Sequence, residues 1–180
     1  MLAAGFSRRF GSDKRRVPLA NDRTLLANTV IRALDSGLPV VTCLRTGEED
    51  LAKEVEGLGA SVLHCPVAEL GMGASLAWGI AHMPDWDGVL IALADMPDIL
   101  PATYCKAATT LSAGHICQPS HEGRPGHPVG FSNAFFGQLA TLTGDSGARY
   151  LLQKNREAVT RFPVDDPGIL RDIDRPDDIA

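Results

Sequence analysis

No apolar run in these 180 residues approaches the ~18–20 residues that a membrane-spanning helix needs, so no membrane partner is expected. Positive charge is in deficit. Seventeen Lys and Arg stand against 22 Asp and Glu, a net charge of −5. That is the wrong sign for a sequence-independent grip on a nucleic-acid backbone. Cysteine is scarce and scattered, at Cys43, Cys65, Cys105 and Cys117, and no pair has the C-x-x-C spacing of a structural zinc site or a redox motif. These four are expected to be buried free thiols in a reducing cytoplasm. No leader-like segment is visible, because Met1–Gly5 runs straight into charge, and a cytoplasmic location is expected. Disorder is excluded by a hydrophobic share of 44% against 22% charged residues.

What is present is an alternation of short apolar runs and amphipathic stretches. Leu25, Leu26, Val30, Ile31 and Leu34 have helical spacing within 24–36, and Gly37 follows as a stop. Further helices are expected over 48–58, 73–82, 101–111 and 146–154, with Pro101 at a first turn. Strands are expected over 39–44, 60–64, 88–94, 115–119, 128–132 and 158–162. The run 88–94 is the most apolar and suits a central strand covered on both faces. Ala4-Gly5 reads as the end of a first strand that either starts upstream of Met1 or is a stub. No linker or repeat breaks the chain, so one domain over 1–180 is expected. The alternation predicts an α/β fold, three-layered α/β/α, with a mostly parallel sheet. Ligands of such sheets bind beyond the carboxyl ends of the strands.

Six segments carry polar or glycine residues at those ends. Leu2-Ala3-Ala4-Gly5-Phe6-Ser7-Arg8-Arg9-Phe10-Gly11-Ser12-Asp13-Lys14 joins small residues to three cations. Small residues let backbone N–H groups approach a phosphate, and Arg grips its oxygens in a fork. The same composition also suits a mobile basic loop, and the spacing is neither a P-loop nor a dinucleotide fingerprint. Leu93-Ala94-Asp95-Met96-Pro97 places a carboxylate after the most apolar strand. It is a candidate Mg²⁺ ligand or a turn aspartate. Gly71-Met72-Gly73-Ala74-Ser75-Leu76 suits close backbone approach to a base or phosphate, or a plain helix start. Gly123-Arg124-Pro125-Gly126-His127-Pro128-Val129 holds a histidine rigidly at a strand entrance. In Gly144-Asp145-Ser146-Gly147-Ala148-Arg149, Asp145 or Ser146 could simply cap a helix. The acidic run Asp172-Ile173-Asp174-Arg175-Pro176-Asp177-Asp178 would suit any helix start.

Taken in order, these segments resemble the MobA-like NTP transferases, and among them the molybdenum cofactor cytidylyltransferases. Ala3-Ala4-Gly5 is similar to the cytidylyl form of the opening motif, where the guanylyl branch has L-A-G-G. Gly71-Met72 through Ser75-Leu76 is similar to the cytidylyl segment over the base. The resemblance covers residues 2–178. It departs in the short first strand, in Arg175 where the family has Thr, and in the few residues after Asp178.

The resemblance implies a Rossmann-like fold and a Mg²⁺-dependent transfer of CMP from CTP to a molybdopterin-type cofactor, with a molybdoenzyme or its chaperone as a further partner. It implies that Arg9 and Lys14 neutralise the triphosphate and that Leu2, Ala3, Ala4, Gly5 and Ser7 cradle phosphates. Gly71, Gly73 and Ser75 would then line the base, and Asp95 with Asp174 would hold the metal, Asp172 being the second choice for Asp174. His127, Pro128, Gly144, Asp145 and Arg149 would face the acceptor. A GTP-using relative, transfer to a sugar or polyol phosphate, and a non-catalytic cofactor-delivery module remain the alternatives.

Overall fold

The computed structural model describes residues 1–7, 10–145 and 147–179. Every helix and strand expected from the periodicity is present within a few residues. The helices are α1 (Leu25–Leu34), α2 (Glu49–Gly57), α3 (Met72–His82), α4 (Pro101–Thr110), α5 (Phe136–Leu139) and α6 (Arg149–Lys154). The strands are β1 (Val41–Arg45), β2 (Ser61–Cys65), β3 (Gly88–Ile91), β4 (Ile116–His121), β5 (Arg124–Pro125), β6 (Val129–Ser132) and β7 (Val159–Pro163). Thr24 starts α1 by accepting the Ala27 amide at 3.0 Å. Pro101 opens α4, where its missing N–H costs nothing.

The first strand is a stub that joins two sheets. β1 and β2 pair in parallel, Val41 opposite Ser61 through Arg45 opposite Cys65. Leu2 then bridges Cys43 of β1 on one side and Leu93, just past β3, on the other, both in parallel. The Leu2 amide donates to Ala92 at 2.8 Å, and the Ala94 amide donates back to Leu2 at 3.1 Å. Beyond β3 the order is β6, then β4, which also pairs in parallel with β7. Neighbouring stub residues point to opposite faces, as the strand pleat requires. Ala3 packs into a cluster with Leu26 and Val30 of α1 and Leu51 and Val55 of α2. Leu2 packs toward Leu76 and Ile80 of α3 with Phe131, Leu139 and Leu151. Helices therefore cover both faces.

Four details depart from expectation. β6 runs antiparallel to both β3 and β4, so the sheet is mixed, although parallel pairings predominate. β4 turns directly into β5 through Glu122 and Gly123, both with positive φ, at 49° and 79°. Two such residues make the tight turn whose twist matches a hairpin. β3 stops at Ile91 and is only partly buried, because an apolar cavity of about 480 Å³ runs beside it and β1, past Met1 and Leu2. Cys105 is exposed, whereas Cys43, Cys65 and Cys117 are buried free thiols as expected.

Candidate functional site

The carboxyl ends of the Leu2 stub and β3 open into a pocket of about 630 Å³. Leu2, Ala3, Ala4, Gly5, Ser7, Lys14, Gly71, Ser75, Asp95, Asp145 and Asp174 all line it. Ala3 and Ala4 are buried at 3% exposure each. A Cβ at Gly5 would meet nothing within 4 Å, so internal packing does not require its bareness. Among the described residues, no acceptor takes the amides of Ala4 and Gly5. Ser7 has a φ of 50°, a left-handed conformation that a non-glycine residue adopts at a cost. Its hydroxyl accepts the Lys14 amide at 3.3 Å, which ties the loop to the turn Lys14–Arg16.

Two carboxylates converge on Lys14. Its Nζ donates to Asp95 Oδ2 at 2.8 Å, to Asp174 Oδ1 at 3.2 Å and to the Ile173 carbonyl at 2.7 Å. Burial works against the ammonium, and the hydrogen bonds and charges of Asp95 and Asp174 together outweigh it, so its pKa is raised. The Asp95 segment is held from three directions. Thr29 Oγ1 donates to the Ala94 carbonyl at 3.0 Å, Asn28 Nδ2 to the Pro97 carbonyl at 3.1 Å, and the Ile173 amide to the Asp95 carbonyl at 2.9 Å. The last bond also sets Asp174 beside Asp95. Asp178 holds the following turn by accepting the Asp174 and Arg175 amides at 2.9 and 2.7 Å. Asp172 is exposed, so of the two candidates it is Asp174 that joins Asp95 and Lys14.

The donor set fits a hard divalent cation. Two carboxylates and a backbone carbonyl stand together, and Asp95 Oδ1 is buried with no hydrogen-bond partner among the described residues. Among the described residues no group of three or more His, Cys, Asp or Glu forms a metal cluster. A cation here would therefore draw its remaining ligands from water and substrate phosphate, as Mg²⁺ does.

Beneath the loop lies a charged network that sequence reading passed over. Arg15 is 3% exposed. Its guanidinium donates to the Ala3 carbonyl at 2.7 Å, to Asp13 at 2.8 and 2.7 Å, and to both oxygens of Glu48. Arg45 donates to the same Glu48 at 2.8 Å and to the Gly5 carbonyl at 3.3 Å, and its guanidinium lies 4.5 Å from the centre of the Phe6 ring. Burial opposes ionisation of Glu48, and the Arg15 and Arg45 hydrogen bonds overcome it, so its pKa is lowered.

The other expected residues divide. Gly71 has a φ of +107°, and a Cβ there would come within 2.5 Å of the Gly144 backbone. Gly73 does not line the pocket. It is buried, and its amide donates to Gly144 at 2.7 Å. Asp145 faces the pocket and does not cap a helix, since α6 begins at Arg149 after Ala148, without a side-chain cap. Gly144 and Arg149 are exposed outside the pocket lining. His127 and Pro128 are not among its lining residues. Burial lowers the His127 pKa against the opposing pull of the Ile91 carbonyl and the Asp95 and Asp172 charges. Arg9 and Ser146 lie outside the described residues.

The MobA-like NTP transferase domain matches residues 1–159. Purine catabolism protein PucB from Bacillus subtilis (strain 168) is 32% identical, over 98% of this chain and 91% of its own. The crystal structure of Rv0371c from Mycobacterium tuberculosis H37Rv superposes with a TM-score of 0.82 at 30% identity, covering 98% of this chain and 92% of the other. The same protein in complex with manganese gives a TM-score of 0.79 at 28% identity, covering 98% and 92%. The fold is thus the Rossmann-like one of nucleotidyltransferases, and the chain belongs to the MobA-like NTP transferase family.

Proposed function

We propose that this nucleotidyltransferase moves CMP from CTP onto the phosphate of a molybdopterin-type molybdenum cofactor and releases pyrophosphate, with Mg²⁺ as its metal. One observation carries the reading: a bare glycine loop, a Lys14 ammonium and the paired carboxylates Asp95 and Asp174 open into one pocket at the strand ends. The manganese complex of a relative supports a divalent metal. CTP is supported by the sequence resemblance of the Ala3-Ala4-Gly5 and 71–76 segments, and the acceptor by that of the 126–129 and 144–149 segments, from which Asp145 reaches the pocket.

In this reading an acceptor phosphate oxygen forms a bond to the α-phosphorus as the bond to the departing pyrophosphate breaks. No covalent enzyme intermediate is needed. A divalent cation, when bound, supplies neutralisation of the charge shared between nucleotide and acceptor. Asp95 and Asp174 hold it. The amides of Ala4 and Gly5 take phosphate oxygens, and Lys14 and Arg9 add positive charge. Gly71 and Ser75 form the wall against the base. The chain thus acts by positioning and by fixed charge.

The test is pyrophosphate release with Mg²⁺, comparing CTP and GTP, with and without molybdenum cofactor, on the unmodified chain and on Asp95→Asn. CTP-selective turnover that falls by about 10²–10³ in the variant is expected, the loss typical for removing a charge-stabilising group. A folded chain that binds neither nucleotide would sink the reading. GTP preference would overturn the cytidylyl assignment alone.

A further inference from the structure

An ammonium group has three N–H donors, and those of Lys14 already have three acceptors: Asp95 Oδ2 at 2.8 Å, the Ile173 carbonyl at 2.7 Å and Asp174 Oδ1 at 3.2 Å. None remains for a phosphate. These oxygens are also the hard donors that suit a divalent cation. An ammonium and a dication cannot share one pair of carboxylates without strong repulsion. The lysine is also an incomplete occupant. It satisfies Oδ2 of Asp95 and leaves Oδ1 buried without a partner among the described residues, whereas an ion seated between the carboxylates could use both oxygens.

We propose that Lys14 is the resident cation of this site and exchanges with the metal. The proposal rests on the metal reading of Asp95 and Asp174 given above. Without metal, Lys14 pairs with both carboxylates, offsets one of their two charges and holds the 173–174 segment against Asp95. When metal enters, Lys14 gives up both carboxylates, and its ammonium becomes available to the triphosphate. The backbone of Lys14 favours this exchange. Its amide is tied to Ser7 of the glycine loop at 3.3 Å, so its Cα stays beside the loop while the flexible side chain turns from carboxylates to phosphate.

The exchange has a consequence that separates it from other roles. A lysine that only contacts nucleotide leaves metal affinity unchanged in the absence of nucleotide. A lysine that helps to build the metal site weakens that affinity when removed. A lysine that competes for the site does the opposite, and its removal tightens metal binding. With nucleotide present the released ammonium has phosphates to pair with, so metal and nucleotide each favour the other's binding.

The experiment measures Mn²⁺ binding without nucleotide, by the electron paramagnetic resonance signal of free Mn²⁺, on the unmodified chain, Lys14→Met and Asp95→Asn. Lys14→Met is expected to bind Mn²⁺ about tenfold tighter, within the usual range of coupling between sites, and Asp95→Asn to bind it more weakly. Unchanged or weaker binding by Lys14→Met, with Asp95→Asn still impaired, overturns the exchange and leaves the metal reading standing. No Mn²⁺ binding by any of the three overturns both. A second measurement needs no variant. Lys14 is acetylated with acetic anhydride and quantified by peptide mass mapping, with Lys53, Lys106 and Lys154 as internal references. Mn²⁺ is expected to raise Lys14 labelling several-fold. Unchanged or reduced labelling overturns the exchange even if Lys14→Met fails to fold.

Discussion

Arg15 uses all five of its N–H donors inside the protein, on Asp13, Glu48 and the Ala3 carbonyl. Removing one partner leaves the others' charge buried, which typically costs about 3–5 kcal/mol. Glu48→Gln is therefore expected to destabilise the chain by roughly 3 kcal/mol at pH 7 in urea unfolding. The loss should come with weaker nucleotide binding, because the Ala3 and Gly5 carbonyls sit on this network. The pH dependence has a definite sign. The Glu48 pKa is lowered on folding, so its contribution is complete above the unfolded value near 4.3 and disappears as pH falls through the folded value. The gap between the two proteins should narrow in acid. Asp95 and Asp174 were legible in the sequence because each sits in a compact local string. The pair Arg15 and Glu48 was not. Its members are 33 positions apart, and a charged residue read alone looks like part of a solvated face. Lys14 was legible as a cation but not in its pairing, which reaches 160 positions along the chain.

At the level of elements, α3 depends on how it begins. Gly71 combines a φ of +107° with a Cβ position 2.5 Å from Gly144, so alanine there is strained by conformation and blocked by backbone. Gly71→Ala is expected to cost about 1–3 kcal/mol and to raise the nucleotide KM more than it lowers kcat. An unchanged melting temperature and KM would refute this account of Gly71. The helices were legible because a 3.6-residue period is explicit in α1 and α2. The direction of β6 was not, since a four-residue buried run such as Val129–Ser132 carries no mark of polarity. Asn28 and Thr29 are polar residues on the buried side of α1. They are the side chains that hold the carbonyls on either side of Asp95.

At the scale of the whole molecule, among the described residues, the two sheets are continuous only through the stub at Leu2. Leu2→Pro removes the N–H that reaches Ala92 at 2.8 Å and leaves a buried acceptor unpaired, a loss of about 1–3 kcal/mol. It should also reduce cooperativity. Calorimetry is expected to show a broader transition for Leu2→Pro than for the unmodified chain. A single sharp transition at an unchanged temperature would mean that the packed clusters on the two faces join the sheets without the stub.

The bond from Gly73 to Gly144, with Gly71 packed on the same turn, lies outside the pocket and couples the two segments that carry Gly71, Ser75 and Asp145 to its lining. A ligand that fixes the 144–145 turn also fixes the start of α3, and the next ligand then meets a wall already held in place. Linkage makes this effect mutual. If acceptor lowers the nucleotide dissociation constant by some factor, nucleotide lowers that of acceptor by the same factor. One glycine contact would thus make the protein bind its two substrates as a pair.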